Sequence, residues 1–344
     1  MKIGDIIELS HGGGGQRMDV LIKYILEIIN QEVPDTVHFG STEGDDGAML
    51  ELTGQSNKIV LSTDSHTVYP LFFRGGNLGD LSIVGTINDV VCMGAKPEFL
   101  TLGLIIEEGF AMDDLRKIVE SMAARLKESG AIIVSGDTKV MPKGHLSGLV
   151  TNTAGYGRMV RDDPLSIANA REGDKIIISG PIGDHGASLM SLREGIDLDT
   201  DLLSDVIPFW PYMEEIIRDP RTHVVKDLTR GGLASAMSDI ATASKKLLEI
   251  DEVAIPIRDS TQAVCDILGL EVMEISSEGK AVIFVAPEFE DECLKILHGT
   301  EFGRDAHSVG QVKSLPAGAV HIITEIGGTR LLAKPFGEPI PRVC

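Results

Sequence analysis

The spacing of hydrophobic residues changes repeatedly along this chain. KIVLSTDS (58–65) reads as a strand, GDLSIVGTINDVVCMGA (79–95) places apolar residues three and four apart as a helix does, and PEFLTLGLIIEE (97–108) returns to a strand. MDDLRKIVESMAARLKESG (112–130) predicts an amphipathic helix stopped by Gly130, and AIIVSGDTKV and LSGLVTNTAGYGRM are further strands. The pattern restarts at KIIISGPIGDHG (175–186), is interrupted by a polar, helix-prone insertion around 186–218 that carries Trp210, and resumes with DLTRGGLASAMSDIATAS, a helix entered from a strand. VAIPI, QAVCDILGL, KAVIFVAP, EDECLKIL and DAHSVGQV continue the strand and helix alternation.

This rhythm predicts two α/β domains joined near 159–172. We divide the chain into an N-terminal glycine-rich segment and helix (1–40), an N-terminal α/β domain (41–160), a C-terminal α/β domain (161–313), and a hairpin with tail (314–344). In the first segment MDVLIKYILEIIN puts Val20, Leu21, Tyr24, Ile25 and Ile28 on one helix face. The preceding HGGGGQ lacks the Gly-Lys-Ser/Thr of a P-loop and follows no strand, so it reads as a loop. The tail PFGEPIPRVC holds three prolines in ten residues, which favour an extended arm with Cys344 at its tip.

Charge narrows the choice of partners. Of 344 residues, 31 are Lys or Arg and 52 are Asp or Glu, a net charge of −21 spread along the chain, which opposes binding to a nucleic-acid backbone. A phosphate site must therefore be local. MKIGDIIELSHGGGG lacks the basic and apolar parts of a leader, and no apolar run is long enough to span a bilayer, so the expected compartment is the cytoplasm. The four cysteines show no paired spacing, and Cys92, Cys265 and Cys293 sit in apolar surroundings expected to bury them.

Acidic residues recur at the ends of predicted strands: Asp45 and Asp46 in EGDDGA, Asp64 in STDS, Asn88 and Asp89 in INDVV, Asp137 with Thr138 and Lys139 in SGDTKV, and Asp227 with Arg230 in KDLTRGG. Singly, each reads as a turn residue or helix cap. Together they match what Mg²⁺ and a nucleotide triphosphate require, with Lys139 and Arg230 able to neutralise a transferring phosphoryl group. Glu278 in ISSEGKAVIF precedes a strand, where it either faces a cleft or ends a solvated turn.

These motifs identify the chain as resembling the HypE hydrogenase-maturation family, within the superfamily of aminoimidazole ribonucleotide synthetase, selenophosphate synthetase and thiamine monophosphate kinase. HGGGGQRM, EGDDGA, STDSHTV, GNLGDLSIVGTINDVVCMGAKP, SGDTKV, GYG, SGPIGDHG, DLTRGGLA, SSEGK and the final PRVC carry the match over essentially the whole chain. Ser277 stands where relatives often carry cysteine.

The resemblance implies a two-domain PurM-like α/β (α+β) fold, with N-terminal domains paired as a β-barrel-like homodimer and ATP bound near that interface. It further implies ATP-dependent dehydration of an S-carbamoyl group on Cys344 to a thiocyanate that supplies cyanide to [NiFe]-hydrogenase iron. The implied partners are the HypF carbamoyltransferase and the HypC–HypD complex. The implied metal ligands are Asp45, Asp64, Asp89 and Asp137. Asp46, Asp64, Asn88, Asp137, Thr138, Asp227 and Arg230 would bind cofactor, and Cys344, Glu278, Asp89 and Lys139 would be catalytic. The alternative is a small-molecule kinase or synthetase of the same superfamily, which leaves PRVC without a role; a thiol metal carrier leaves the strand-end acids without one.

Overall fold

The computed structural model describes residues 5–12, 16–39, 48–51, 58–196 and 202–335. Its first part runs α1 (Gln16–Ile29), β1 (Val37–Phe39), β2 (Met49–Leu50), β3 (Ile59–His66), β4 (Phe72–Phe73), β5 (Gly76–Asn77), α2 (Leu78–Cys92), β6 (Ala95–Glu107), α3 (Met112–Ser129), β7 (Ile132–Met141) and β8 (Leu149–Met159). The second runs β9 (Lys175–Ile178), α4 (Asp184–Arg193), α5 (Trp210–Arg218), β10 (Thr222–Asp227), α6 (Gly232–Ser244), β11 (Leu247–Asp251), α7 (Asp259–Leu268), β12 (Ala281–Val285), α8 (Glu290–His298), β13 (His307–Lys313), β14 (Ala319–Ile323) and β15 (Thr329–Leu331).

The first sheet has order β3-β8-β6-β7, antiparallel except for the β6–β7 pair joined through α3. The second has order β10-β12-β9-β13-β11-β14-β15 and is antiparallel except at β11–β14. Both sheets lean on α2. This helix is apolar nearly all round, and 13 of its 15 residues are buried, the signature of a helix inside a core rather than at a surface. It packs on β3, β8 and α3 on one side and on α5 and β10 on the other, so one hydrophobic cluster runs from Leu81 and Ile87 through Phe209 and Met213 to Val225 and Ile283.

Local chemistry fixes where α2 begins. Asn77 Oδ1 accepts the Gly79 N–H at 2.7 Å while Asp80 Oδ2 accepts the Asn77 N–H at 2.9 Å, a reciprocal cap. Arg125 of α3 donates to Asp80 at 2.8 Å and ties the two helices together. Hydroxyls buried between α2 and β8 pair with each other, Ser82 with Thr151 and Thr86 with Thr153, each at 2.6 Å, which removes the cost of burying them alone.

Several expectations need adjusting. VAIPI is not a strand: the strand is the preceding LLEID, and residues 252–254 form a 3-10 turn ahead of Pro256, which lacks the N–H a ladder needs. The insertion around 186–218 is not a polar excursion, because Trp210, Met213, Ile216 and Ile217 of α5 are buried in the shared core. Of the glycine run, Gly12 closes a 3-10 turn from Leu9, and residues 13–15 lie outside the described residues. The helix at 18–30 does bury Leu21 and Ile25, with Tyr24 and Ile28 packed beside them. Gly130 ends α3 in the left-handed conformation at φ 72°. Cys92, Cys265 and Cys293 are all buried.

A side chain at Gly79 would meet the Ile118 carbonyl oxygen at 2.1 Å, so α2 and α3 touch backbone to backbone there. Gly79→Ala is expected to lower the unfolding free energy by about 1–3 kcal/mol in urea denaturation, the range for overpacking a close-packed contact.

Candidate active site

A cavity of about 230 Å³ opens between β3, α2, the β10–α6 turn and the turn before β12. Period-two geometry points both Asp64 and His66 of β3 toward α2, where Thr86 Oγ1 donates to Asp64 Oδ2 at 3.1 Å. His66 fits because residue 85 is glycine, where a Cβ would stand 2.9 Å from its Nε2. Asp89, one turn along α2, accepts a 2.7 Å hydrogen bond from Ser62.

On the opposite wall, Asp227 accepts from Lys226 Nζ and from Thr229 Oγ1, both at 2.9 Å. Arg230 stands exposed at the rim. Gly231 and Gly232, at φ 74° and 54°, then turn the chain into α6, and a Cβ on Gly232 would meet the Ile275 carbonyl at 2.4 Å. Glu278, 7% exposed, enters from the turn before β12. Its neighbour Ser277 has a structural task, with Oγ accepting the Gly183 N–H at 2.8 Å.

Carboxylates dominate the electrostatics. Burial, followed by the charge of Asp227, pushes Asp89 up to about 7. Burial and then Asp205, Asp227, Asp64 and Asp89 raise Glu278 well above the usual carboxylate range. Lys226 is held above its ordinary value, its desolvation outweighed by Asp227 and Asp89. The cavity thus holds more acid than its own cations neutralise, and it suits a polyvalent cation or a proton-transfer step.

Asp64, Asp89, Asp227, Arg230 and Glu278 therefore meet in one cavity, whereas other expected site residues do not. Asn88, 2% exposed, has its amide engaged by protein: Nδ2 donates to the Ile207 carbonyl at 3.1 Å and Oδ1 accepts the Phe209 N–H at 2.8 Å. Asp137 and Lys139 lie exposed on β7, three strands from β3, or about 14 Å at normal sheet spacing. The register Asp137–Gly103–Asn152–Ser65 puts Asp137 on the sheet face opposite Asp64. Thr138 is buried and, with Asp137, borders a separate cavity of about 190 Å³ walled by Ile22, Ile25 and Leu26 of α1. Asp45, Asp46 and Cys344 lie outside the described residues. Among the described residues no three acidic, histidine or cysteine side chains stand close enough to chelate one ion. Sequence reasoning missed His66, Lys226 and Thr229; the two-residue step from Asp64 to His66 was a readable signal for the first.

Two family models match, the AIR synthase related protein N-terminal domain over residues 44–159 and the corresponding C-terminal domain over 171–323. Carbamoyl dehydratase HypE of Rhizobium leguminosarum bv. viciae is 39% identical over 340 residues, covering 98% of this chain and 95% of that protein. The chain belongs to the HypE family. A crystal structure of hydrogenase maturation protein HypE in complex with ATP superposes with a TM-score of 0.91 at 37% identity, covering 98% of this chain and 99% of that one. HypE in a HypE–HypF complex matches with a TM-score of 0.76 at 41% identity, covering 80% and 90%. The fold is accordingly two PurM-like α/β domains, and the protein is an enzyme of the HypE carbamoyl dehydratase family. No described helix is long and apolar enough to cross a membrane.

The raised value of Asp89 gives a signed prediction. An acid whose folded value is about 7, against about 4 unfolded, holds a proton in the folded chain that the unfolded chain has released. That contribution to stability is full below about pH 4 and is lost as pH rises toward 7. Asp89→Asn removes the effect while leaving an oxygen for Ser62. Without nucleotide or metal, the stability of this variant relative to the parent is expected to improve by about 1–3 kcal/mol between pH 5 and pH 8, read from paired urea titrations.

Proposed function

We propose that the protein uses ATP to dehydrate an S-carbamoyl group on Cys344 to a thiocyanate, supplying cyanide to the iron of a [NiFe]-hydrogenase. The observation that carries this reading is Glu278, a buried carboxyl facing Asp64, Asp89 and Asp227 in the cavity. An amide oxygen is a poor leaving group. Transfer of the γ-phosphoryl to the carbamoyl oxygen, with loss of one N–H proton, gives an imidate phosphate and ADP. Breaking its C–O bond, with loss of the second N–H proton, gives S–C≡N and phosphate.

Glu278 is the base. Burial and the charges of Asp205, Asp227, Asp64 and Asp89 raise Glu278 well above the usual carboxylate range, which makes its carboxylate a strong base once positive charge offsets those acids. Mg²⁺, when bound, supplies that charge and screens the triphosphate. Asp64 and Asp89 suit it, because Mg²⁺ commonly takes one or two carboxylates and completes its shell with water and phosphate oxygens. Asp45 is the further ligand in this reading and Asp46, Asp227 and Arg230 contact the nucleotide, whereas Asp137, Thr138 and Lys139 stand away from this cavity and take no part at this ion. Asn88 would contribute by shaping the wall, since its amide is already engaged.

A second copy of the chain is part of the proposal. The face of the first sheet turned away from α2 leaves Ile59 44% and Leu61 71% exposed, a cost that pairing of two such faces would relieve. Asp137 and Lys139 lie on that same face. We place the reaction in the cytoplasm, with HypF loading the carbamoyl group and the HypC–HypD complex receiving cyanide.

The test is the intact mass of the protein after incubation with a HypF-type carbamoyl-donating system, with and without Mg-ATP. Carbamoylation at Cys344 followed by ATP-dependent loss of one water is expected. ATP hydrolysis with Cys344 never modified would replace this reading with a small-molecule kinase. Glu278→Gln is expected to slow the loss of water about 100-fold or more while carbamoylation continues.

A further inference from the structure

Glu278 is not held by its own turn alone. The loop 202–209, between α4 and α5, crosses behind it, and Asp205 Oδ1 accepts the Glu278 N–H at 2.9 Å. Asp205 is half-buried as a residue, but its Oδ2 is sealed from water and has no hydrogen-bond partner. A buried carboxyl oxygen without a partner is costly to keep. Its retention here calls for an explanation, and the loop's other contacts provide one.

The next residue of the turn, Gly279, lies so close that a Cβ on it would stand 1.7 Å from the Asp205 carbonyl oxygen. Farther along the loop, Asn88 of α2 grips the Ile207 carbonyl and the Phe209 N–H, and its Nδ2 also reaches the Glu278 carbonyl at 3.5 Å. The peptide of Glu278 is thus approached from both sides, its N–H by Asp205 and its carbonyl by Asn88. The same loop is fastened to the helix that carries Asp89.

We propose that Asp205 is the positioning residue for Glu278: its carboxylate oxygen sets the turn so that the Glu278 side chain enters the cavity opposite Asp64 and Asp89. This rests on the reading of Glu278 as the base. Asp205 lines no part of the cavity, so it acts through Glu278 and touches neither nucleotide nor carbamoyl group. Asp205 Oδ1 is the side-chain acceptor of the Glu278 N–H, while Lys280, on the same turn and a donor only, gives its proton to the Gly279 carbonyl at 3.2 Å and lies over the Phe302 ring.

The experiment compares Asp205→Ala, Asp205→Asn and Glu278→Gln in the full-length protein. Each variant is carbamoylated by the same donor system and then given Mg-ATP, with loss of water followed by intact mass and ATP affinity measured separately. Asp205→Ala is expected to slow dehydration about 10- to 100-fold, the cost of a small misplacement of a catalytic group, while ATP affinity stays within about twofold. Asp205→Asn keeps an oxygen acceptor for the Glu278 N–H and is expected to recover most of the rate. Combined with Glu278→Gln, Asp205→Ala should add no further loss, because a residue acting only through Glu278 has nothing left to position. If Asp205→Ala does not fold, Asp205→Ser, with a hydroxyl too short to reach the same N–H, carries the same expectation.

Dehydration unchanged in Asp205→Ala, loss of ATP affinity in step with rate, or an undiminished effect of Asp205→Ala in the Glu278→Gln background would each overturn the positioning role. A fully active Glu278→Gln would instead overturn the assignment of the base itself, so the two failures are told apart.

Discussion

The burial of α2 between two sheets is the constraint on which the rest of the structure depends. A helix with 13 of its 15 residues buried has almost no surface to give to water, so the two domains must close around it. The side chains it does not surround with hydrocarbon are those with partners: hydroxyls paired across to β8, an amide engaged by the loop 202–209, and Asp89 facing the cavity. The position of the acidic site follows from where this helix stops being hydrophobic.

The acids of that site repel one another, and burial with few cations strengthens that repulsion, which raises the proton affinity of Asp89 and Glu278. Lys226 is engaged with Asp227, and Arg230 stands at the rim. Such a cluster stores proton affinity in Asp89 and Glu278, and any cation that enters lowers it.

Much of this was legible in the chain. Asp64, Asp89, Asp227, Arg230 and Glu278 stand beside strands or helices whose spacing is unambiguous, and a residue at the end of a regular element points where the element dictates. Asn88 and Asp89 show why adjacency misleads. They are neighbours in sequence but about 100° apart around a helix, so one faces the loop and the other the cavity. Asp137 looks equivalent to Asp64 until the register across four strands sets them on opposite faces, a long-range fact absent from local pattern. VAIPI failed because apolar content resembles a strand even where proline removes the N–H that a ladder needs. Asp205 sits in a segment without motif or period, and only the fold shows that it stands behind Glu278.

Because one hydrophobic cluster passes without interruption from the first sheet through α2 to the second, the walls of the cavity are joined below as a valley is joined by its floor. Two domains of this kind have little freedom to swing apart like jaws, since doing so would wet the core they share. For the proposed reaction the cavity is in this sense a stationary workplace. Whatever is to be transformed there must be delivered to it, and the burden of travel falls on the visiting chain rather than on the domains that receive it.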